Sequence, residues 1–294
     1  MVEEATKEVV VIGSRGLLGN ALFTEAEKYF DTVGLTHDDL DITDSRKVVE
    51  VIRSLKPRII VLTAAYTDVD GCEENPQLAY RVNAEGAGHV ARAAKEVGAV
   101  LIYISTDCVF NGHKNVPYQE DDETEALSVY GRTKLEGEGI VAGELERCVI
   151  IRTVWLFGEA QKGFVPAVLK AIEQKTPLKV VTDKIGSLTY VEDLSQAICT
   201  IIRLILSGGY DFEKARILHI TNNGICTWWD IGRFIVDYFK ADLELKPTLL
   251  AEFPFKAKRP KYSALDNTRF EQITGQCLRP WPEALKEYLQ CRKI

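Results

Sequence analysis

Tyr130-Gly131-Arg132-Thr133-Lys134 sets a phenol and an amine four positions apart, which puts both on one face of a helix. A phenol with a free pKa of about 10 is a poor acid–base group at neutral pH. A neighbouring ammonium favours the phenolate, so the pair is expected to lower that value and to deliver a proton to a carbonyl undergoing reduction. Lys134 can also bond the ribose of a nicotinamide cofactor. Alone, such a pair is a common surface coincidence. Here it is joined by Ser105-Thr106-Asp107, directly after the apolar run Val100-Leu101-Ile102-Tyr103-Ile104. That is the carboxyl end of a strand, where open α/β sheets bind ligands, and a hydroxyl there can polarise the same carbonyl.

A third element stands near the N-terminus. Gly13-Ser14-Arg15-Gly16-Leu17-Leu18-Gly19 follows Val9-Val10-Val11-Ile12 and opens a helical stretch. Glycines allow a sharp turn and close approach of a pyrophosphate, and the free amides of a helix N-terminus meet its charge. The spacing is G-x-x-G-x-x-G rather than the common G-x-G-x-x-G, and a tight turn without a ligand is the plainer alternative. Arg15 can meet a 2′-phosphate, which tilts the choice between NADPH and NADH toward NADPH, or it can simply be solvated. No acidic ribose ligand is evident in Thr36-His37-Asp38-Asp39 at the tip of the second strand.

These groups need a frame that brings strand ends together. Ile59–Leu62, Val100–Ile104 and Cys148–Ile151 repeat the buried-strand signal, with helices expected over Leu17–Tyr29, Gln77–Val97 and Tyr130–Leu145. The alternation predicts an α/β chain with a Rossmann-type doubly wound parallel sheet. Beyond Trp155, helices near Phe164–Gln174, Val191–Leu206 and Trp229–Phe239 surround a strand at Ile217–Ile220, and Pro247–Pro260 reads as loops. Residues 1–155 with about 188–220 are therefore assigned to a cofactor-binding domain, and about 156–187 with 221–294 to a smaller α/β substrate-binding lobe.

The 294 residues carry a net charge of −7, which argues against a broad nucleic-acid surface but leaves room for an anionic small molecule. Lys256, Lys258, Arg259 and Lys261 form a local basic cluster that either clamps a diphosphate or is a solvated loop. The acidic start Met1-Val2-Glu3-Glu4 has no secretory pattern, and Ala197–Leu206 is too short to span a membrane. Seven cysteines without a Cys-x-x-Cys pair and four scattered histidines indicate neither a disulfide framework nor a metal site. A cytoplasmic protein is expected.

On these residues the chain resembles the extended short-chain dehydrogenase/reductase family, and within it the dTDP-4-dehydrorhamnose reductases. The similarity runs through Leu40-Asp41-Ile42-Thr43, Ala64-Ala65-Tyr66-Thr67-Asp68-Val69-Asp70, Val82-Asn83-Ala84, Ser105 to Phe110, Tyr130 to Lys134, Arg152-Thr153-Val154-Trp155, Arg259-Pro260 and Ser263-Ala264-Leu265-Asp266. The resemblance implies hydride transfer from NAD(P)H to the C4 ketone of a dTDP-linked 6-deoxy sugar, in the supply of deoxysugar for cell-surface polysaccharide. Tyr130 would give the proton, Lys134 would tune it and hold the ribose, and Thr106 would polarise the carbonyl. Gly13, Arg15, Gly16, Leu17 and Leu18 would face the cofactor phosphates, Asp41 and Ile42 the adenosine, and Ala64, Ala65, Tyr66 and Thr67 its middle. Thr106, Asp107, Trp155 and Arg259 would meet the substrate, although Trp155 fits equally well as a core aromatic. Related reductases are often dimers, and a homodimer is the assembly this suggests.

Three positions depart from the reductase pattern. Cys108 stands where tyrosine is usual, Lys184-Ile185-Gly186-Ser187-Leu188-Thr189 replaces Gln-x-Gly-x-Pro-Thr, and Tyr66 takes the place of a common histidine. Cys108 also stands where a dehydratase would carry glutamate. As a proton carrier it would instead suit an epimerase or epimerase-reductase, whereas a buried cysteine would be inert. A different class of alternative is a non-catalytic NADP-binding subunit like the beta subunit of methionine adenosyltransferase, which also keeps Tyr-x-x-x-Lys.

Overall fold

The computed structural model describes residues 7–159 and 162–292, so the acidic start Met1-Val2-Glu3-Glu4 lies outside the described residues. Strands β1 (Val9–Ile12), β2 (Thr32–Leu35), β3 (Ile59–Leu62), β4 (Val100–Thr106) and β5 (Cys148–Thr153) join a late strand, Ile217–His219, in one six-stranded sheet. Every pairing in it is parallel, and the order is β2-β1-β3-β4-β5 followed by the late strand. Chain direction across the sheet reverses between β1 and β3. Their carboxyl ends therefore splay apart into the crevice where doubly wound sheets take ligands.

Both faces of the sheet are covered, which is why the strands read as unbroken apolar runs rather than alternating ones. Val9, Val11, Ile59, Val61, Ile102, Val149 and Ile151 face one layer, packing with α1 (Leu17–Ala26) and the helix Val191–Leu206. Val10, Ile12, Ile60, Leu62, Leu101, Tyr103 and Ile150 face the other, against α2 (Ser45–Leu55) and a longer helical segment up to Val97. That segment comprises α3 (Val69–Glu74), α4 (Pro76–Tyr80), a π turn over Arg81–Gly86, and α5 (Ala87–Val97). Local chemistry sets the boundaries. Asp44 caps α2 by accepting from the Arg46 and Lys47 amides, Gly98 ends α5 in the left-handed region, and Ser128 caps α6 (Val129–Glu144) by accepting from the Gly131 amide at 3.1 Å.

A second core of Phe157, Val165, Leu169, Ile231, Ile235, Tyr288 and Leu289 holds together the helices Phe164–Gln174, Trp228–Phe239 and Trp281–Gln290. Between the cores lies a small cluster of Val109, Phe110, Tyr118, Val154, Tyr262, Ala264 and Leu265. Among the described residues no helix is long and apolar enough to cross a membrane.

Several expectations differ in detail. The first helix stops at Ala26 rather than Tyr29. Gln77–Val97 is not one α-helix, because Asn83 in the π turn is recruited to bond a neighbouring loop. Ser105 and Thr106 are the last two residues of β4 rather than its sequel. In Pro247–Pro260, expected as loops, Pro247 and Thr248 belong to a short strand, Leu245–Thr248, paired in parallel with Leu178–Val181, and Leu250–Glu252 is a 3₁₀ turn.

One buried ion pair links three of these elements. Arg152 at the end of β5 donates to Glu138 of α6 through Nε at 3.0 Å and Nη2 at 2.7 Å, and Ser105 of β4 donates to the same carboxylate. Both charged side chains are at most 5% exposed, so losing one partner strands the other without water. Glu138→Gln or Arg152→Met is expected to cost about 3–5 kcal/mol in urea unfolding, with a double Glu138→Met, Arg152→Met variant recovering much of it. Single variants as stable as the parent would contradict the assignment.

Candidate active site

The glycine turn is shaped by contacts as well as by φ. Gly13 sits at φ +94°, and a side-chain carbon there would come within 2.6 Å of the Ala64 amide nitrogen. A side chain at Gly19 would run into the Gly13 carbonyl, so α1 can cross this closely only with glycine at both ends of the motif. Gly16 caps α1 without a side-chain bond, so the amides of the first turn open toward the β1–β3 crevice. The unbonded amides of this first turn are donors that can meet a dinucleotide pyrophosphate.

Around it stand the other expected cofactor residues. Arg15 is 76% exposed and pairs with Asp38 at 2.8 Å, so the tip of β2 does carry an acid, already engaged by arginine. Asp39 is occupied in accepting from the Thr36 amide and hydroxyl. Asp41 accepts from the Thr43 amide and hydroxyl, and the buried Ile42 offers its carbonyl to His89 Nδ1 at 2.9 Å. The loop after β3 carries Ala64, Ala65, Tyr66 and exposed Thr67. Asn83 clamps that loop: its Oδ1 accepts from the Tyr66 amide at 2.8 Å, and its Nδ2 donates to the Tyr66 carbonyl and to Thr133 of α6.

Thr106, Asp107, Tyr130 and Lys134 come together where β4 meets the first turns of α6. Thr106 Oγ1 donates to Asp107 Oδ1 at 3.0 Å, accepts from the Cys108 amide at 3.2 Å, and bonds the Tyr130 hydroxyl. Burial pushes the Tyr130 phenol above its ordinary value, with Cys108 adding to the rise and the Thr106 bond opposing it. This corrects the expectation of a phenol lowered by Lys134. The Lys134 amino group lies 3.9 Å over the ring of Tyr103, and lost hydration outweighs any attraction the phenolate would gain. Lys134 itself is only 2% exposed, and burial brings its pKa down to about 7 while Glu138 acts to raise it.

The substrate-side expectations fare unevenly. Trp155 holds a left-handed backbone at φ +45°, a strained state for a bulky residue, with its ring 5.8 Å from that of Trp228. It packs against two of the cores and also faces Lys184, so contact and core roles coincide. Arg259 is forked onto Asp70 at 3.0 and 3.1 Å and stacks on Phe255. Lys256 pairs with Glu74, and Lys261 pairs with Asp183 at 3.3 Å. Three members of the basic cluster are thus neutralised by carboxylates, and they strap residues 256–261 to α3 and to Asp183 rather than forming a free cationic patch.

Sequence reasoning passed over several residues of this site. Glu138 had a signal, since Tyr130, Lys134 and Glu138 recur every four residues along one helical face. Lys184 was visible only as a departure from pattern, yet it is 3% exposed and sits against Trp155, Trp228 and Asp107. Ser263, fully buried beside Asp107, entered only as part of a segment shared with the reductases and was given no role. Among the described residues no group of three or more His, Cys, Asp or Glu is arranged to hold a metal.

Comparison with known proteins agrees with this geometry. The family model described as the RmlD substrate binding domain matches residues 7–293. The spore coat polysaccharide biosynthesis protein SpsK of Bacillus subtilis is 35% identical, covering 97% of this chain and 98% of that protein. The dTDP-4-dehydrorhamnose reductase of Aggregatibacter actinomycetemcomitans is 34% identical, covering 95% and 97%. The crystal structure of the Bacillus anthracis dTDP-4-dehydrorhamnose reductase in complex with NADP superposes with a TM-score of 0.90 at 34% identity, covering 97% and 99%. A match over nearly the whole chain, on a doubly wound sheet with this β4–α6 constellation, places the protein in the RmlD substrate-binding-domain family.

Proposed function

We propose that the protein reduces the C4 ketone of a dTDP-linked 6-deoxy sugar with a reduced nicotinamide cofactor, as a dTDP-4-dehydrorhamnose reductase does. The observation that carries this reading is the bond between the Thr106 hydroxyl and the Tyr130 phenol at the carboxyl end of β4, with Lys134 buried one helical turn further along α6. Gly13, Gly16, Leu17 and Leu18 would hold the cofactor phosphates, Asp41 and Ile42 its adenosine, and Ala64, Ala65, Tyr66 and Thr67 its middle. When bound, the cofactor supplies the hydride. NADPH is favoured over NADH, because a 2′-phosphate can take the Arg15 guanidinium from Asp38, an exposed pair with little to lose.

The protein groups divide the remaining work. A phenol pushed above its ordinary value is fully protonated at neutral pH, so Tyr130 stands loaded as the acid for a ketone oxygen. Thr106 orients that oxygen. Lys134, titrating near neutrality, holds the ribose and offsets charge developing on the phenol. Asp107, Trp155 and the strap carrying Arg259 would receive the sugar nucleotide. In this division residues 1–155 with about 188–220 serve the cofactor, and about 156–187 with 221–294 serve the sugar. A cytoplasmic setting and a homodimer belong to the same reading.

The test follows nicotinamide absorbance with dTDP-4-dehydrorhamnose and either NADPH or NADH. Tyr130→Phe is expected to lose about a hundredfold to ten-thousandfold in kcat while still binding cofactor. Tight cofactor binding by the parent without turnover would instead favour the regulatory-subunit alternative.

The epimerase-reductase alternative requires Cys108 as a proton carrier, and burial pushes its thiol up to about 12. Iodoacetamide at mildly alkaline pH is therefore expected to label exposed Cys277 and Cys291 and to spare Cys108, as read by peptide mass spectrometry. Turnover should survive in Cys108→Ala. Rapid labelling of Cys108 together with loss of turnover in the alanine variant would reverse this assignment.

A further inference from the structure

Tyr103 is a buried phenol with no part in proton or hydride transfer. It stands on β4 two residues before Ser105, and burial keeps its hydroxyl protonated far above neutral pH. The Lys134 amino group lies 3.9 Å from the centre of its ring, well inside the range in which an aromatic face attracts a cation. Among the described residues none accepts a hydrogen bond from that amino group. The Tyr103 hydroxyl donates to the Asn83 carbonyl at 3.0 Å and stands 3.5 Å from the carbonyl of Lys134 itself. Asn83 in turn clamps the Tyr66 loop and Thr133 through its side chain. Gly137 completes the seat, because a side-chain carbon there would come within 2.4 Å of both the Tyr103 hydroxyl and the Asn83 carbonyl. Only glycine lets α6 settle this closely over the phenol.

We propose that Tyr103 is a positioning residue for the reduction: its ring face seats the Lys134 ammonium with donors free for the cofactor ribose, and its hydroxyl ties that seat through Asn83 to the Tyr66 loop. The inference rests on the reductase reading and deepens it. An ammonium taken out of water needs a compensating partner. A carboxylate in contact would supply one, but it would occupy the donors of the amine and draw it away from the ribose. Glu138, the nearest acid, is instead committed to Arg152 and Ser105. An aromatic face attracts the charge from one side only and leaves the remaining N–H groups pointing away from it. The titratable and charged groups around the seat are Tyr130 and Glu138 on α6, Tyr103 on β4, Cys108 just beyond it, Arg152 on β5 and Cys72 on α3. Burial raises both phenols and both thiols, and Arg152 and Glu138 are locked in their fork. Lys134, brought down to about 7, is therefore the group that changes charge near neutrality. The ring favours its charged form, so removing the ring lowers the pH at which that charge is lost.

The experiment titrates the parent protein and three kinds of variant by NMR of lysine labelled with 13C at Cε, the Lys134 signal being the one missing from Lys134→Arg. The pH profile of kcat/KM for NADPH, with dTDP-4-dehydrorhamnose as substrate, is measured on the same proteins. Tyr103→Leu should lower the Lys134 midpoint, and the basic limb of the profile with it, by roughly 0.5–1.5 pH units. Tyr103→Phe keeps the face and should leave both nearly in place. The third kind is Tyr103→Phe with that ring mono- or trifluorinated. Fluorine drains the face of electron density at almost constant volume, so the midpoint should fall stepwise toward the leucine value. If Tyr103→Leu does not fold, the fluorinated series decides. A midpoint that ignores fluorination, or a limb that moves as far in Tyr103→Phe as in Tyr103→Leu, would overturn the proposal and leave Tyr103 a packing residue, with the reductase reading intact. A parent that reduces no sugar overturns that reading, and the NMR midpoints then still decide whether the ring holds the amine.

Discussion

The arrangement of the site depends on the buried Arg152–Glu138 pair. Arg152 is the penultimate residue of β5, Ser105 is the residue before Thr106 on β4, and Glu138 lies one helical turn beyond Lys134 and two beyond Tyr130. A forked guanidinium–carboxylate bond, with the Ser105 hydroxyl on the same carboxylate, fixes how α6 lies along the sheet. A slip of α6 by one turn would carry Tyr130 away from Thr106 and break the fork at the same time. Removing two charges from water is costly, so the contribution of the pair lies in specifying one register more than in net stability. Its reach extends further. Arg152 also donates to the Glu120 carbonyl, and Glu120 Oε1 accepts from the His219 amide on the last strand of the sheet. His219, buried and held neutral by that burial, closes this polar knot through Nδ1 and the Tyr118 carbonyl.

Desolvation then shifts the two proposed catalytic groups in opposite directions. The burial that raises the Tyr130 phenol pulls the Lys134 amine down to about 7. The phenol keeps its proton at neutral pH, and the amine becomes able to gain or lose one. Glu138, whose structural partner is Arg152, also opposes the fall in Lys134, so the register device and the electrostatic device share a carboxylate. Asp107 and Lys184 are likewise each shifted toward the neutral form by burial and held back by the charge of the other.

Much of the fold was legible because a parallel sheet covered on both faces leaves a coarse signature. Val9–Ile12 and Ile59–Leu62 are bounded as their apolar runs indicate, and Phe164–Gln174 and Val191–Leu206 follow their helical periods. What escaped were features written by tertiary contact. The π turn at Asn83 exists to serve Tyr66 and Thr133, far away in sequence. Strand formation at Pro247 needs Leu178–Val181 alongside. In the candidate site, Tyr130, Lys134 and Thr106 are proposed from spacing and strand ends, which are local. The pairing of Arg259 with Asp70, the seating of Lys184 between two indoles and the nearness of Ser263 to Asp107 arise from chain crossings that composition and periodicity do not encode. The direction of the Tyr130 shift was misjudged for the same reason, since sequence spacing reveals a neighbouring amine but not the loss of water around both groups.

The central claim is that hydride reaches C4 of the sugar while Tyr130 supplies the proton to its oxygen. The most direct measurement is a reaction with NADPH deuterated at the transferring position, followed by NMR of the product sugar. Deuterium at C4, with none at C3 or C5, is the expected result. Label absent from the sugar, or found at C3 or C5 instead of C4, would contradict simple ketone reduction.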